Sequence, residues 1–201
     1  QQGPLKALEL PLLCFRNTDR EEAIAPAFDG ENVPIVFSCS NAYAPHCAVT
    51  LQSLADTVSS ARKYDLFIFT LELTALNKRE KSNISLRFID VSSFFEDRHL
   101  YESPTISRET YFRFTIPELL SCYKKALFLD SDIIIRRDVA DLFDTDIGEN
   151  WLGACIDVCE SGSVNGFSPE SAQYVQEKMR LKDPCKEFNA GILVMNLEAL
   201  R

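Results

Sequence analysis

Apolar residues in this chain gather in short runs separated by polar, helix-compatible stretches, a pattern that predicts strands and helices in alternation. The first run, "VPIVFSCS" from Val33, ends in small polar residues and reads as a buried strand. In "NAYAPHCAVTLQSLADTVSS" the residues Cys47, Ala48, Leu51, Leu54, Ala55 and Val58 share one helical face, and Pro45 suits a first turn. The alternation repeats with "DLFIFTLEL" (65–73) as a strand, "ALNKREKS" as a polar, helix-compatible piece and "ISLRFIDVS" (84–92) as a strand. After a loop around "YESPTIS", helical stretches are expected over 107–115 and 117–123. The apolar run "ALFLDSDIII", a short helix near "DVADLF", the strand "WLGACIDV", a helix over about 170–180 and the strand "FNAGILVMNL" complete the series. Residues 1–31 hold Pro4, Pro11, Pro26 and the charged run "RNTDREE" without sustained period, and read as a partly ordered extension before a domain at 32–201.

Strands apolar on both faces, joined through helices, predict an α/β domain whose mostly parallel sheet is flanked by helices. Ligands of such sheets sit beyond the carboxyl ends of the strands. The residues to watch are therefore Ser38 to Tyr43, Asp130 to Asp132, Asp157 and the polar residues flanking 192–195.

Composition narrows the function. The chain has 201 residues, enough for one full core, with 46% hydrophobic and 25% charged residues and no apolar stretch of the ~18 residues a bilayer crossing needs. The N-terminal segment lacks the pattern of a secretory signal, so a cytoplasmic protein is expected. Seven cysteines at scattered positions make no close-spaced zinc pairs and are expected to be reduced and mostly buried. On the same compartment expectation the sequon Asn83-Ile84-Ser85 is set aside. A net charge of −9 without a Lys/Arg patch excludes nucleic acid as a partner and means that a phosphate ligand needs a cation recruited locally.

Asp130-Ser131-Asp132 can supply that cation. Alone, Asp-x-Asp is a common strand-end turn, but here "LFL" precedes it and "III" follows, and two unpaired carboxylates are costly to bury there. Side chains at i and i+2 converge on one ion when the backbone turns between them, and hard oxygen donors suit Mg²⁺ or Mn²⁺. Without the ion, each contact of ~4 Å between a carboxylate and a diphosphate oxygen repels by about 4 kcal/mol at an effective dielectric of about 20. The same ion stabilises a departing nucleoside diphosphate as a Lewis acid. His46 and His99 lack partners at ligand spacing and are not assigned to the metal.

The segments "IVFSCSNAYAPHCAVTLQSL", "RETYFRFTIPELLSCYKKALFLDSDIIIRRDVADLFDTDIGENWLGACID" and "FNAGILVMNL" resemble, in order and spacing, the bacterial members of glycosyltransferase family 8, over roughly residues 33–201. The resemblance implies a GT-A fold. It also implies metal-dependent, retaining transfer of a hexose from a nucleotide sugar, UDP-galactose or UDP-glucose, to a saccharide or glycolipid acceptor such as lipopolysaccharide. By position it makes Asp130 and Asp132 the metal ligands. Tyr43 lies against the nucleobase, Arg113 reaches the donor phosphate or sugar, and Ser38, Ser40 and Ser131 join the donor set. Asp157 and Asn189 hydrogen-bond the transferred sugar, beside the backbone of Ala190 and Gly191.

Two departures stand out. Ser40 occupies the place of a base-recognising acid and Ala42 that of a common Asn, which weakens the case for uracil. The sequence stops at Arg201, where relatives continue with an acceptor-binding part and a metal-completing histidine. A fragment is therefore expected, with any peripheral association at the inner face of the membrane resting on the absent part. Two other functions compete: a phosphatase with an Asp nucleophile, whose Asp pair belongs near the start of its core, and a non-catalytic nucleotide-sugar-binding domain.

Overall fold

A computed structural model describes residues 24–71, 82–103, 106–163, 168–181 and 187–201. Its strands are β1 (Asn32–Ser38), β2 (Lys63–Thr70), β3 (Ile84–Asp90), β4 (Lys125–Leu129), β5 (Leu152–Ile156) and β6 (Phe188–Asn196). They form one sheet in the order β3-β2-β1-β4-β6-β5. The pairs β1–β2, β2–β3 and β1–β4 are parallel, whereas β6 runs antiparallel to both of its neighbours. The sheet is thus mostly parallel, as expected, with one reversed strand.

The two sheet faces are filled by alternate residues of the same strands. On one, Val33, Ile35 and Phe37 of β1 and Leu127 and Leu129 of β4 pack under Cys47, Leu54 and Ala55 of α1 (Ala44–Thr57). On the other, Val36, Phe67, Phe69 and Phe128 meet Phe112, Ile116 and Leu120, which come from a 3-10 segment (Arg108–Thr115), α2 (Ile116–Leu119) and the turn after it. Pro117 lies in the first turn of α2, where its missing N–H costs nothing, and marks the change from the tighter helix. The remaining helices are α3 (Ala140–Phe143), α4 (Val158–Gly162), α5 (Pro169–Gln173), which runs on into a π turn at Tyr174–Met179, and α6 (Leu197–Leu200).

Several expectations need correction. The strand ends at Leu129, and "III" does not continue it: Ile133 and Ile135 turn inward while Ile134 is exposed, in an irregular segment with no sheet partner among the described residues. Of the five described cysteines only Cys39 and Cys47 are buried; Cys122, Cys155 and Cys159 are exposed free thiols, because the β5 end of the sheet and the turn after α2 carry them outward. The sequon's Asn83 is buried, and its amide donates to the carbonyls of Ser59 (2.9 Å) and Arg62 (3.0 Å), a structural use. Residues 1–23 of the extension, nearly all of the polar stretch 75–82, and Cys14 and Cys185 lie outside the described residues. Among the described residues no helix is long and apolar enough to cross a membrane.

Candidate functional site

Strand order reverses between β1 and β4, and the chain diverges there: α1 leaves on one face while the turn after β4 opens beside it. Divergence leaves a crevice at the carboxyl ends. A cavity of about 340 Å³ fills it, lined by Ser38, Ser40 and Tyr43 after β1, by Asp130, Ser131 and Asp132 after β4, and by Asn189, Ala190 and Gly191. The last three lie at the start of β6, and only because that strand is reversed does its beginning reach this edge.

Asp130 and Asp132 both face the cavity, but their surroundings differ. The Asp130 backbone N–H donates to the Gly191 carbonyl (2.7 Å), and its side chain is partly buried, whereas Asp132 is exposed. Burial pushes the Asp130 carboxyl above its usual range, opposed by Arg113 and reinforced by Asp132. Gly191 makes the room for it: a Cβ there would lie 2.2 Å from Asp130 Oδ2. Asn189 caps this corner, accepting from the Gly191 N–H (2.9 Å) and donating to Asp157 Oδ2 (3.2 Å). Asp157 itself does not line the cavity and is joined to it through Asn189.

Arg113 is not a surface side chain. Its guanidinium lies 4.3 Å from the centre of the Phe128 ring, donates through Nε to Thr110 O (2.9 Å) and through Nη1 to Ala190 O, and sits 3.7 Å from Asp130 Oδ1. Removal from water lowers its pKa, and the Asp130 charge opposes that shift. Tyr43, the residue before α1, leaves its ring half exposed at the cavity and near His46, at a centroid distance of 5.5 Å. The Ser38 hydroxyl is buried at the cavity wall with no hydrogen-bond partner among the described residues.

Ser107, Glu109 and Thr110 complete the lining and were not anticipated from sequence. Glu109 and Thr110 lie in the same 3-10 segment as Arg113 and Ser107 just precedes it, and that proximity was the available signal. With Glu109 counted, three carboxylates face one guanidinium among the described lining residues. Such a wall repels a diphosphate unless a cation intervenes.

The donor set fits a hard divalent ion in part. Asp130 and Asp132 offer two carboxylates, and among the described residues no group of three or more His, Cys, Asp or Glu side chains is placed to hold a metal. The remaining positions of a six-coordinate ion then fall to ligand oxygens and water, which is usual for Mg²⁺-type sites.

Comparison with known proteins follows the same lines. The fold overlays the WbbM bifunctional glycosyltransferase with a TM-score of 0.78 at 29% identity, covering 89% of this chain and 33% of that one. It overlays the galactosyltransferase LgtC, solved in complex with donor and acceptor sugar analogs, at 0.66 and 26%, covering 84% and 59%. General stress protein A of Bacillus subtilis is 25% identical over 178 residues, 85% of this chain and 58% of that protein. The chain spans about half the length of the curated relatives it matches. The α/β sheet is therefore a GT-A fold, and with the family model for glycosyl transferase family 8 matching residues 34–201, this chain belongs to glycosyltransferase family 8.

Proposed function

We propose that this domain binds a nucleoside diphosphate hexose with a divalent cation and forms the donor half of a retaining hexosyltransferase. The observation that carries it is the meeting of Asp130, Asp132, Arg113 and the Asn189–Gly191 strand end around one cavity at the β1/β4 switch point.

Asp130 and Asp132 would hold Mn²⁺ or Mg²⁺, which when bound neutralises diphosphate charge and so eases departure of the nucleotide. Tyr43 offers a half-exposed ring for a base, with Ser38 and Ser40 beside it as hydroxyl partners. Ser131, buried in the turn between the two aspartates, brings backbone to the same wall. Arg113 supplies a fixed positive charge for the phosphate or the sugar ring. Asn189, held from behind by Asp157, presents its amide for sugar hydroxyls next to the Ala190 and Gly191 backbone. Uridine diphosphate is the nucleotide expected from family membership, the hexose galactose or glucose, and the acceptor a saccharide or glycolipid.

Calorimetric titration with uridine diphosphate, with and without Mn²⁺, tests this function. Wild type should bind more tightly with the metal, and Asp130→Asn or Asp132→Asn should lose that gain. Metal-independent affinity that neither substitution changes would refute it. Metal-dependent binding without hydrolysis or transfer of any nucleotide sugar would leave a binding domain alone.

A further inference from the structure

Among the described residues the segment that follows β4 has no strand to pair with, so its backbone hydrogen bonds come from elsewhere. Helix α1 supplies them. The Thr50 hydroxyl, fully buried, lies 3.0 Å from the Ser131 carbonyl and 2.7 Å from the Ile133 carbonyl and donates its one proton between them. These two carbonyls flank Asp132. One turn further along, Ser53 Oγ accepts from the Ile135 N–H (2.9 Å) and donates to the Thr50 carbonyl (2.8 Å).

This is unusual work for helix hydroxyls. Mid-helix Ser and Thr commonly bond back to their own helix, as Thr57 on the same face does, to the carbonyls of Ser53 (2.9 Å) and Leu54 (3.1 Å). Thr50 instead reaches 81 and 83 residues along the chain. The two carboxylates are thus fixed by different elements: Asp130 through its N–H to Gly191 of β6, Asp132 through the Thr50 bridge to α1. The same helix begins just after Tyr43, so it spans from the Tyr43 end of the cavity to the acid pair.

We propose that Thr50, supported by Ser53, is a positioning residue for the cation: its hydroxyl sets the Asp132 turn so that both carboxylates address one ion. The role rests on the function proposed above. Lost hydrogen bonds just outside a metal's own ligands lower metal affinity by roughly 10–100-fold, and since Thr50 acts on the backbone beside the ligand, the lower end applies.

The test is the ratio of uridine diphosphate affinities measured with and without Mn²⁺. Thr50→Val, equal in shape, should cut this ratio about tenfold while metal-free affinity holds, and Thr50→Ser should restore most of it. Thr57→Val, which removes only local back-bonding, should leave the ratio at the wild-type value. A Thr50→Val protein that melts earlier yet keeps the full ratio would show a purely structural hydroxyl and overturn the proposal. If Thr50→Val does not fold, Ser53→Ala is read the same way, a reduced ratio upholding the clamp and an unchanged one overturning it. A wild-type protein indifferent to Mn²⁺ is a separate result: it removes the donor-binding function and the clamp with it.

Discussion

At the residue scale the site turns on who may occupy position 191. The peptide of Gly191 bonds Asp130 through its carbonyl and Asn189 through its N–H, and the Asp130 carboxylate uses the space a side chain would take. Gly191→Ala forces either that carboxylate or the start of β6 to move, since an added carbon would stand 2.8 Å from Asp130 Cγ and 3.1 Å from Asn189 Oδ1. Over-packing of this kind costs about 1–3 kcal/mol. Urea denaturation should show a loss in that range, and calorimetry should show Mn²⁺-dependent nucleotide binding reduced far more than stability; full retention of binding would mean that Asp130 is free to swing. Much of this site was legible as sequence, because polar residues that end apolar runs are cheap to find: Ser38, Ser40, Tyr43 and the Asp pair all border one cavity. Glu109 and Thr110 were not legible. They sit on a 3-10 segment whose exposed face has no periodic apolar signature, and nothing in their spacing says that it turns toward the β1 end.

At the element scale, the apolar runs located five of the strands well but not the end of β4 or the direction of β6. A run of isoleucines after Asp132 carries the composition of a strand, yet alternation alone does not say what partners its backbone, and here α1 does so, Thr50 donating to the Ser131 and Ile133 carbonyls and Ser53 accepting from the Ile135 N–H. Direction is equally silent in sequence, since an apolar strand reads the same whether its neighbour is parallel or antiparallel. A second joint between elements lies in the buried charge of Asp65. Its carboxylate, fully buried in β2, meets Arg87 of β3, the Tyr123 hydroxyl and the Ala27 N–H (2.9 Å), while Arg87 also donates to the Ala25 carbonyl and stacks 4.4 Å from the centre of Phe67. Segment 24–27 is thereby tied across the sheet. Removing one partner of a buried pair strands the other, a loss of about 3–5 kcal/mol. Arg87→Met should fall in that range by urea denaturation and should free residues 24–27 to hydrogen exchange. A variant within about 1 kcal/mol of wild type would show that solvent screens the pair.

At the scale of the whole molecule, both faces of the sheet carry a tyrosine whose hydroxyl donates to a carboxylate. Tyr64, in the cluster under α1, donates to Asp138 (2.8 Å), and Tyr123, in the opposite cluster, donates to Asp65. Burial first, then the carboxylate acceptor, raises both phenol pKa values well above the usual one. A folded-state pKa raised above the unfolded value stabilises the protein fully below the unfolded value, about 10 for tyrosine, and that stability drains away as pH climbs toward the folded values. The thermal midpoint should therefore hold through neutral pH and decline above about pH 10. Self-repulsion in a chain of net charge −9 also grows in alkali, so the decline alone does not identify its source. The double variant Tyr64→Phe/Tyr123→Phe separates the two. It should melt earlier at neutral pH, since each lost hydrogen bond to a charged acceptor is worth about 1.5–3 kcal/mol, yet Asp138 keeps the N–H donors of Ser59 and Ala140, and Asp65 keeps Arg87 and Ala27. Its midpoint should then fall less steeply than wild type from about pH 10 to 12. Parallel slopes would assign alkaline unfolding to net charge, and the two tyrosines would be packing residues with no part in it.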